Sequence, residues 1–307
     1  MMEWVQTGGG QMEKVAQSLG QLAEAFLLSK RVSGCTEHTL SIYRLWLSRF
    51  ISAVDAPEPL AAHRFVAVWQ ERGLKPSSLH RGVRALRTFF RWCVATGSLL
   101  EDPLRGLAIR LPKTLPVVPT EDELKAVLAC CPAKTLLGKR NRALILVMAD
   151  SGLRASEVLR LVVEDWTPAQ RSLLVRGGKG HKDRVTFVTP TTARALREYL
   201  GSHPVVAVED FLFADMQNRP LKRRHLIQIL HRLSAKAGLP SHRRLYPHAL
   251  RHFAATSWLR NGVGIDEVRR LLGHESLSTT LRYSALVASD LQQAHKKAAA
   301  IERMRLT

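Results

Sequence analysis

The sequence has no long hydrophobic run. Its longest strongly apolar stretch is ALILVMA at 143–149, far shorter than the roughly 20 residues that a helix needs to span a bilayer. The first residues, MMEWVQTGGGQMEK, also lack the basic start and apolar segment that are typical of a secretory signal. We therefore expect a cytoplasmic protein with no membrane partner.

Cysteine is also scarce. The four cysteines are Cys35, Cys93, Cys130 and Cys131. None forms a C-x-x-C pair, and two adjacent cysteines suit neither a zinc site nor a disulfide. The acidic residues form no dense cluster of the kind that two-metal nucleases use. The sequence thus predicts reduced, mostly buried thiols and no metal or other cofactor.

Acidic side chains are outnumbered by basic ones. The chain has 26 Asp and Glu against 46 Lys and Arg, a formal net charge of +20. Such a balance suits a polyanionic partner, and nucleic acid is the commonest polyanion in a cytoplasm. A generally basic protein without such a partner is the alternative. Hydrophobic residues make up 46% of the chain, which favours a folded protein. A length of 307 residues favours two domains.

Helical patterns fill most of the chain. Segments 36–54 and 76–97 place apolar residues at helical spacing, and Gly97 is a plausible helix end. The one convincing β pattern is RSLLVRGGKGHKDRVTFVTP at 171–190, two short β-rich runs around a glycine-rich turn. We therefore predict a fold that is mainly α with a small antiparallel β-sheet.

A proline-rich stretch suggests where the domains divide. LPKTLPVVPT at 111–120 has the composition of an extended linker. Thr120 and Glu123 form a capping box that starts the next helix. The predicted organisation is an N-terminal tail at 1–14, a helical domain at 15–111, a linker at 112–119, a second domain at 120–287 and a C-terminal tail at 288–307.

Two basic groups are candidate DNA contacts. Arginines recur at three- and four-residue steps along 76–97, so they would lie on one side of the helix and follow phosphates. A solvated basic face is the alternative. A second basic run starts the helical pattern at 220–238. The predicted DNA-binding residues are Arg81, Arg84, Arg87, Arg91, Lys222, Arg223 and Arg224.

Four short stretches place cations or hydrogen-bond donors beside irregular backbone. They are DSGLRASEVLRL at 150–161, GGKGHKDR at 177–184, HALRH at 248–252 and LGHESLSTTLRYS at 272–284. Taken singly, the first three also fit a surface arginine, a flexible turn and a packed histidine. HALRH does not match the H-E-x-x-H zinc motif, which argues against a metal site there.

The first two stretches offer an anion clamp and an acid. Arg154 lies at a predicted helix start, where free N–H groups already favour anions. Its guanidinium adds a bidentate phosphate contact, and Glu157 is one turn away and able to hold it. Lys179, at the predicted hairpin tip, can donate a proton to a leaving oxygen.

The last two stretches offer proton carriers and a nucleophile. His248, Arg251 and His252 share one helix face, which suits gripping a phosphate while moving a proton. Tyr283 follows His274 by nine residues. A phenol has a pKa near 10 and is a poor nucleophile unless cations stabilise its phenolate. Together the four stretches predict phosphoryl transfer by a tyrosine, with arginines in place of a metal ion.

In order and spacing, these stretches resemble the motifs of the tyrosine recombinase family of phage integrases and Xer-type enzymes. The resemblance covers about residues 117–290. The N-terminal half is similar to a helical core-binding domain in pattern and length only. The resemblance implies a core-binding domain followed by a tyrosine-recombinase catalytic domain, in a Xer-like or transposon-borne site-specific recombinase.

The resemblance also implies a role for each residue. Tyr283 would attack the scissile phosphate and form a 3′-phosphotyrosine, while Arg154 and Arg251 hold the non-bridging oxygens. The other implied members are Lys179 as general acid, His248 and His274 as donors and proton handlers, and Glu157 and His252 as supporting residues, His252 by packing.

The implied partners are double-stranded DNA and further copies of the protein. A homotetramer, or a heterotetramer with a related recombinase, would act on two DNA sites without ATP, and the tail at 288–307 would dock on a neighbour. The implied location is the cytoplasm, with the nucleoid. A type IB topoisomerase-like monomer and a catalytically decayed DNA-binding accessory protein are the alternatives, and Tyr246 is a rival nucleophile.

Overall fold

The structure is a computed structural model that divides into two compact units, Met1–Thr114 and Leu115–Thr307. The division falls inside the stretch that we predicted as a linker, whereas the exact domain limits stay predictions. The structure describes residues 3–6, 12–15, 18–54, 56–111, 117–177, 183–202, 207–273, 280, 281 and 283.

The described part of the first unit contains four helices around an aromatic core. They are α1 (Leu19–Val32), α2 (Glu37–Ile51), α3 (Pro59–Glu71) and α4 (Pro76–Ala95). Phe26, Phe50, Phe89 and Phe90 are fully buried. Phe26 packs edge-on against Phe89 at 5.4 Å between ring centroids, and Phe50 against Phe90 at 5.3 Å. These contacts explain the helical spacing of apolar residues in the sequence.

Two short strands precede these helices. Strands β1 (Glu3–Gln6) and β2 (Met12–Val15) pair antiparallel. We predicted only a tail at 1–14, so this pair was missed. Each strand has four residues, which is too short for alternation to outweigh the glycine-rich sequence between them.

The arginines of α4 do not form one uniform stripe. Arg81, Arg84 and Arg91 are exposed, but Arg87 is partly buried. Its guanidinium donates to the backbone carbonyls of Leu104 and Leu107. Arg87 therefore fastens the segment after α4 to that helix, a structural role that its spacing did not reveal, and its DNA contact stays a prediction.

The second unit is built around one buried helix. Its helices are α5 (Glu121–Ala129), α6 (Leu136–Ser151), α7 (Ala155–Val158), α8 (Pro190–Leu200), α9 (Arg223–Lys236), α10 (Pro247–Arg260) and α11 (Ile265–Leu272). Helix α5 starts with the predicted capping box of Thr120 and Glu123. Helix α6 packs against α8 and α10 and is buried along most of its length.

The second unit also contains a three-stranded antiparallel sheet. It consists of β3 (Trp166–Thr167), β4 (Ser172–Val175) and β5 (Arg184–Phe187), in that order. Strands β4 and β5 form the hairpin predicted at 171–190, whereas β3, of two residues, was missed. The predicted fold class, mainly α with a small antiparallel sheet, is confirmed.

Within the described part of the chain, no helix is both long and apolar enough to cross a membrane.

Candidate active site

Arg154 lies at a sharp turn between two helices. Helix α6 ends at Gly152, which has the left-handed φ of +63°, and Arg154 is the N-cap of α7. A Cβ on Gly152 would lie 2.8 Å from a methyl carbon of Leu272, so both the backbone angle and the close packing require glycine. The turn therefore places Arg154 next to the end of α11.

Glu157 holds Arg154 as the sequence predicted. One carboxylate oxygen accepts the backbone N–H of Arg154 at 2.8 Å, and the other accepts its Nη1 at 2.8 Å. The side chain of Glu157 is buried. Its carboxylate is thus tied to both ends of the arginine, which fixes where the guanidinium can point.

A second arginine, which we did not predict, also binds Glu157. Arg184 donates from Nη1 to Oε1 at 2.9 Å and from Nη2 to Oε2 at 2.8 Å. Burial alone raises the pKa of Glu157, but the hydrogen bonds from Arg184 and Arg154 outweigh it and lower the pKa to about 2. The carboxylate is therefore ionised at any physiological pH.

Arg251 is anchored by the ends of two helices. It is only 3% exposed. Its Nη1 donates to the carbonyl of Gly152 at 2.6 Å and its Nη2 to that of Leu272 at 2.7 Å. Carbonyls at helix C-termini lack intrahelical donors and carry partial negative charge, so they suit a cation. Burial and the charge of Arg154 lower the pKa of Arg251 to about 10, which leaves it charged at neutral pH.

The end of α11 connects Arg154 and Arg251. Nη2 of Arg154 donates to the carbonyl of Gly273 at 3.1 Å, one residue beyond the carbonyl that binds Arg251. Gly273 is left-handed, with φ +63°, and a Cβ there would lie 3.1 Å from the guanidinium of Arg184. Three arginine side chains thus converge on the backbone at the end of α11: Arg154, Arg184 and Arg251.

His248 lies in the first turn of α10, the helix that also carries Arg251. Its pKa is lowered, chiefly by burial and then by the positive charges of Arg223, Arg251 and Arg154. A neutral imidazole can either donate or accept a hydrogen bond. The exposed Arg223, predicted as a DNA contact, is therefore also close enough to influence this histidine.

Tyr283 packs beside α10 and α11. It is 3% exposed and belongs to a small apolar cluster with Ala255, Val268 and Leu272. Its phenol oxygen lies 3.1 Å from Nδ1 of His252. Tyr283 also interacts electrostatically with Arg251. We predicted that His252 packs the site, and the structure places its ring nitrogen directly on the phenol oxygen.

The rival nucleophile lies in a different setting. Tyr246 is the N-cap of α10, and burial raises the pKa of its phenol. A raised pKa makes the phenolate harder to form. Burial thus disfavours Tyr246 as a nucleophile, whereas Tyr283 interacts electrostatically with the positively charged Arg251.

The structure brings together most of the predicted site. Arg154, Glu157, His248, Arg251, His252 and Tyr283 share one region of the second unit. Lys179 and His274 lie outside the described residues. The backbone N–H of Gly177, which precedes the segment that contains Lys179, donates to a carboxylate oxygen of Asp183 at 2.8 Å. Among the residues that the structure describes, no three His, Cys, Asp or Glu side chains group as metal ligands.

Arg184 is the functional candidate that the sequence analysis missed. Its partner Glu157 is 27 residues away, so no local spacing connects them. The one available signal was the position of Arg184, at the start of the strand that follows the glycine-rich turn. A cation there cannot be told from an ordinary strand-end arginine without the fold.

A tyrosine phenol that interacts with the buried Arg251 is an arrangement suited to phosphoryl transfer through tyrosine. Residues 118–289 match the model of the phage integrase family. The chain therefore belongs to the phage integrase family, as its four motifs indicated.

Characterised relatives extend over most of the chain. Tyrosine recombinase XerA of Thermococcus kodakarensis is 32% identical over 286 residues, which cover 92% of this chain and 97% of the relative. Tyrosine recombinase XerD of Xanthomonas axonopodis pv. citri is 34% identical over 239 residues, 74% of this chain and 78% of the relative. These matches do not favour the topoisomerase-like or decayed alternatives.

Solved structures share the fold. The crystal structure of XerA recombinase covers 91% of this chain and 98% of its own, with a TM-score of 0.54 and 24% identity. A second crystal structure shows XerH site-specific recombinase bound to palindromic difH substrate in a post-cleavage complex. It covers 93% of this chain and 85% of its own, with a TM-score of 0.70 and 23% identity.

Proposed function

We propose that this protein, a site-specific DNA recombinase of the tyrosine class, cleaves double-stranded DNA with the phenol of Tyr283. The supporting observation is the position of that phenol, hydrogen-bonded to His252 and within electrostatic reach of the anchored Arg251. Positive charge fixed in advance stabilises the charge that develops during reaction, because little reorganisation is then needed.

The chemistry exchanges one phosphoester for another. The Tyr283 oxygen attacks the scissile phosphorus, the bond from phosphorus to the 5′-oxygen breaks, and a 3′-phosphotyrosine and a 5′-hydroxyl result. Arg154 and Arg251 bind the non-bridging oxygens through guanidinium N–H groups. Their other N–H groups are held by helix-end carbonyls and Glu157, so both side chains are oriented before DNA arrives.

Three further residues complete the proposed site. Lys179 gives a proton to the departing 5′-oxygen, and His248 and His274 donate hydrogen bonds to the phosphate. His274 directly follows Gly273, whose carbonyl binds Arg154. The position of Lys179 in the loop between β4 and β5, and that of His274 after α11, support these roles.

Strand exchange follows from the reversibility of the covalent step. A free 5′-hydroxyl from a partner duplex attacks the phosphotyrosine, and bond energy is conserved without ATP. This requires two DNA sites, and we propose four protomers, either identical or with a related recombinase, with residues 288–307 docking on a neighbour. A cytoplasmic location beside the nucleoid belongs to the same proposal.

Exposed basic residues of both units are proposed to bind the duplex. XerH has been solved on a DNA substrate, which supports duplex DNA as the partner. Phosphate contacts release counterions, so binding should weaken steeply with salt. The proposed contacts are Arg81, Arg84, Arg91, Lys222, Arg223 and Arg224, all of which are exposed, together with the partly buried Arg87.

A covalent-adduct assay tests the proposed function. Nicked duplexes tiled from the protein's own genomic locus are incubated with the protein in EDTA and resolved on a denaturing gel. We expect a protein–DNA band with the wild type and with the matched control Tyr246→Phe, and none with Tyr283→Phe. A band that survives Tyr283→Phe but disappears with Tyr246→Phe would contradict the assignment of the nucleophile.

Deleting residues 288–307 tests the proposed assembly. The truncated chain should still bind one DNA site in a gel-shift assay but should no longer bring two sites together. Synapsis at the wild-type level would contradict the docking role of the tail.

A further inference from the structure

The hydrogen bond between His252 and Tyr283 connects the nucleophile to a group that can accept its proton. The phenol oxygen and Nδ1 of His252 are 3.1 Å apart, and the ring centroids are 5.4 Å apart at 57°. This distance lies within the range over which a general base takes a proton directly. A packing role alone would not require a ring nitrogen at the reacting oxygen.

We propose that His252 is a catalytic residue of this site, the general base that accepts the phenol proton of Tyr283 through Nδ1. The inference rests on the proposed function, because it assigns a further step to the same reaction. It differs from the role that the sequence suggested for His252, which was to pack the site.

The protons and bonds balance with His252 in this role. As the oxygen of Tyr283 bonds to phosphorus, its O–H bond breaks and the proton moves to Nδ1, which becomes part of an imidazolium. The separate acid, Lys179, protonates the 5′-oxygen as its bond to phosphorus breaks. In the rejoining step Tyr283 is the leaving group, and His252 returns the proton to it.

Ordinary acid strengths fit a transfer during the attack. Free phenol is a much weaker acid than imidazolium, so we do not expect the proton to move before the attack begins. The phenol becomes a much stronger acid as its oxygen bonds to phosphorus, so the transfer becomes favourable only then.

The helix positions His252 for this task. His252 follows Arg251 on α10 and lies one turn after His248, with 6.4 Å between the two imidazole centroids. Arg251 is fixed by two backbone carbonyls, so the same helix turn presents a phosphate clamp and a proton acceptor. The anionic phosphate that Arg251 binds would stabilise the imidazolium beside it.

Two substitutions of His252 distinguish the roles of its two ring nitrogens. Nδ1 is bonded to Cγ, as are the amide atoms of asparagine, whereas the amide atoms of glutamine lie nearer to Nε2. His252→Asn therefore keeps a polar atom that can bond the phenol but cannot take a proton, and His252→Gln removes the polar atom from that place. His231→Asn, on the exposed side of α9, is the matched control.

The test measures single-turnover cleavage of a nicked duplex that gives the Tyr283 adduct. Each variant is compared on that duplex and on the same duplex with a 5′-bridging sulfur, a leaving group that needs no protonation. We expect His252→Asn and His252→Gln to cleave at least about 100-fold more slowly on both substrates, with DNA binding unchanged. Lys179→Ala should cleave the ordinary oxygen substrate slowly but cleave the sulfur substrate at close to the wild-type rate. The control His231→Asn should match the wild type on both substrates.

Two results would overturn the proposal. Cleavage by His252→Asn within about threefold of the wild type would reduce His252 to a positioning role, since asparagine cannot serve as a base. Recovery of His252→Asn on the sulfur substrate would place its action at the leaving group.

A measurement without DNA separates this proposal from the proposed function. In protein labelled with ¹⁵N-histidine, the Nδ1 resonance of His252 should shift between the wild type and Tyr283→Phe, because the substitution removes the phenol hydrogen bond. An unchanged resonance would overturn the contact on which the proposal rests. If the contact is present but wild-type protein forms no adduct with any duplex, the proposed function fails and the base role fails with it.

Discussion

Replacing Glu157 by glutamine should destabilise the second unit by a predictable amount. The buried carboxylate accepts hydrogen bonds from Arg154 and Arg184, which lower its pKa from 4.5 to about 2. That difference corresponds to about 3 kcal/mol of folding free energy at neutral pH. A similar figure, about 3 to 5 kcal/mol, is typical when one partner of a buried ion pair is removed. We therefore expect Glu157→Gln to lower the free energy of unfolding by about 3 kcal/mol at pH 7.

The same effect should depend on pH with a definite sign. The carboxyl group of Glu157 has a lower pKa in the folded than in the unfolded chain. At a pH between these two pKa values, the unfolded chain binds a proton at this group that the folded chain does not bind. The stabilisation is therefore complete above about pH 4.5 and is lost as the pH falls toward 2. The wild type should approach the Glu157→Gln variant in stability over that window.

Urea titrations of the full chain, followed by hydrogen exchange of the α6 segment 136–151, measure this unit separately from the first. Glu164→Gln is the matched control, because Glu164 pairs with the exposed Arg176 and exposed pairs contribute little. A Glu157→Gln variant as stable as the wild type at pH 7 would contradict a stabilising role for this buried carboxylate. So would a difference between the two that does not shrink in acid.

Three further predictions concern the backbone, the rival tyrosine and the thiols. Gly152→Ala should lower the urea midpoint more than Gly262→Ala, since both glycines have positive φ but only Gly152 would also clash with a neighbour; equal losses would contradict the packing argument. Tyr246→Phe should cleave DNA at the wild-type rate, and a rate loss of tenfold or more, roughly 1.4 kcal/mol, would contradict its exclusion. Burial raises the pKa of Cys93 to about 12 and that of Cys131 to about 11, so both thiols should react with a disulfide reagent at pH 8 only after unfolding in urea.

Features coded by neighbouring residues were predictable from the sequence. The capping box of Thr120 and Glu123 starts α5, and Gly152 ends α6 with a left-handed turn. The i, i+3 pair of Arg154 and Glu157 also forms as expected. Each depends on a few consecutive side chains and on backbone geometry that one turn determines.

Features that depend on chain segments far apart were not predictable. The carbonyls that anchor Arg251 lie 99 and 21 residues away, and the partner of Arg184 lies on another element. The contact between His252 and Tyr283 spans 31 residues. The motifs indicated that Arg251, His252 and Tyr283 belong to one site, whereas Arg184 was not predicted there. Only the fold determines which atoms meet.

The most direct test of the central claim is the position of the covalent bond. Protein from the adduct assay is digested with nuclease and trypsin, and the peptides are analysed by mass spectrometry. We expect a nucleotide on the peptide YSALVASDLQQAHK, residues 283–296, which begins with Tyr283. A nucleotide on LYPHALR, residues 245–251, would instead identify Tyr246 as the nucleophile and contradict the assignment of Tyr283.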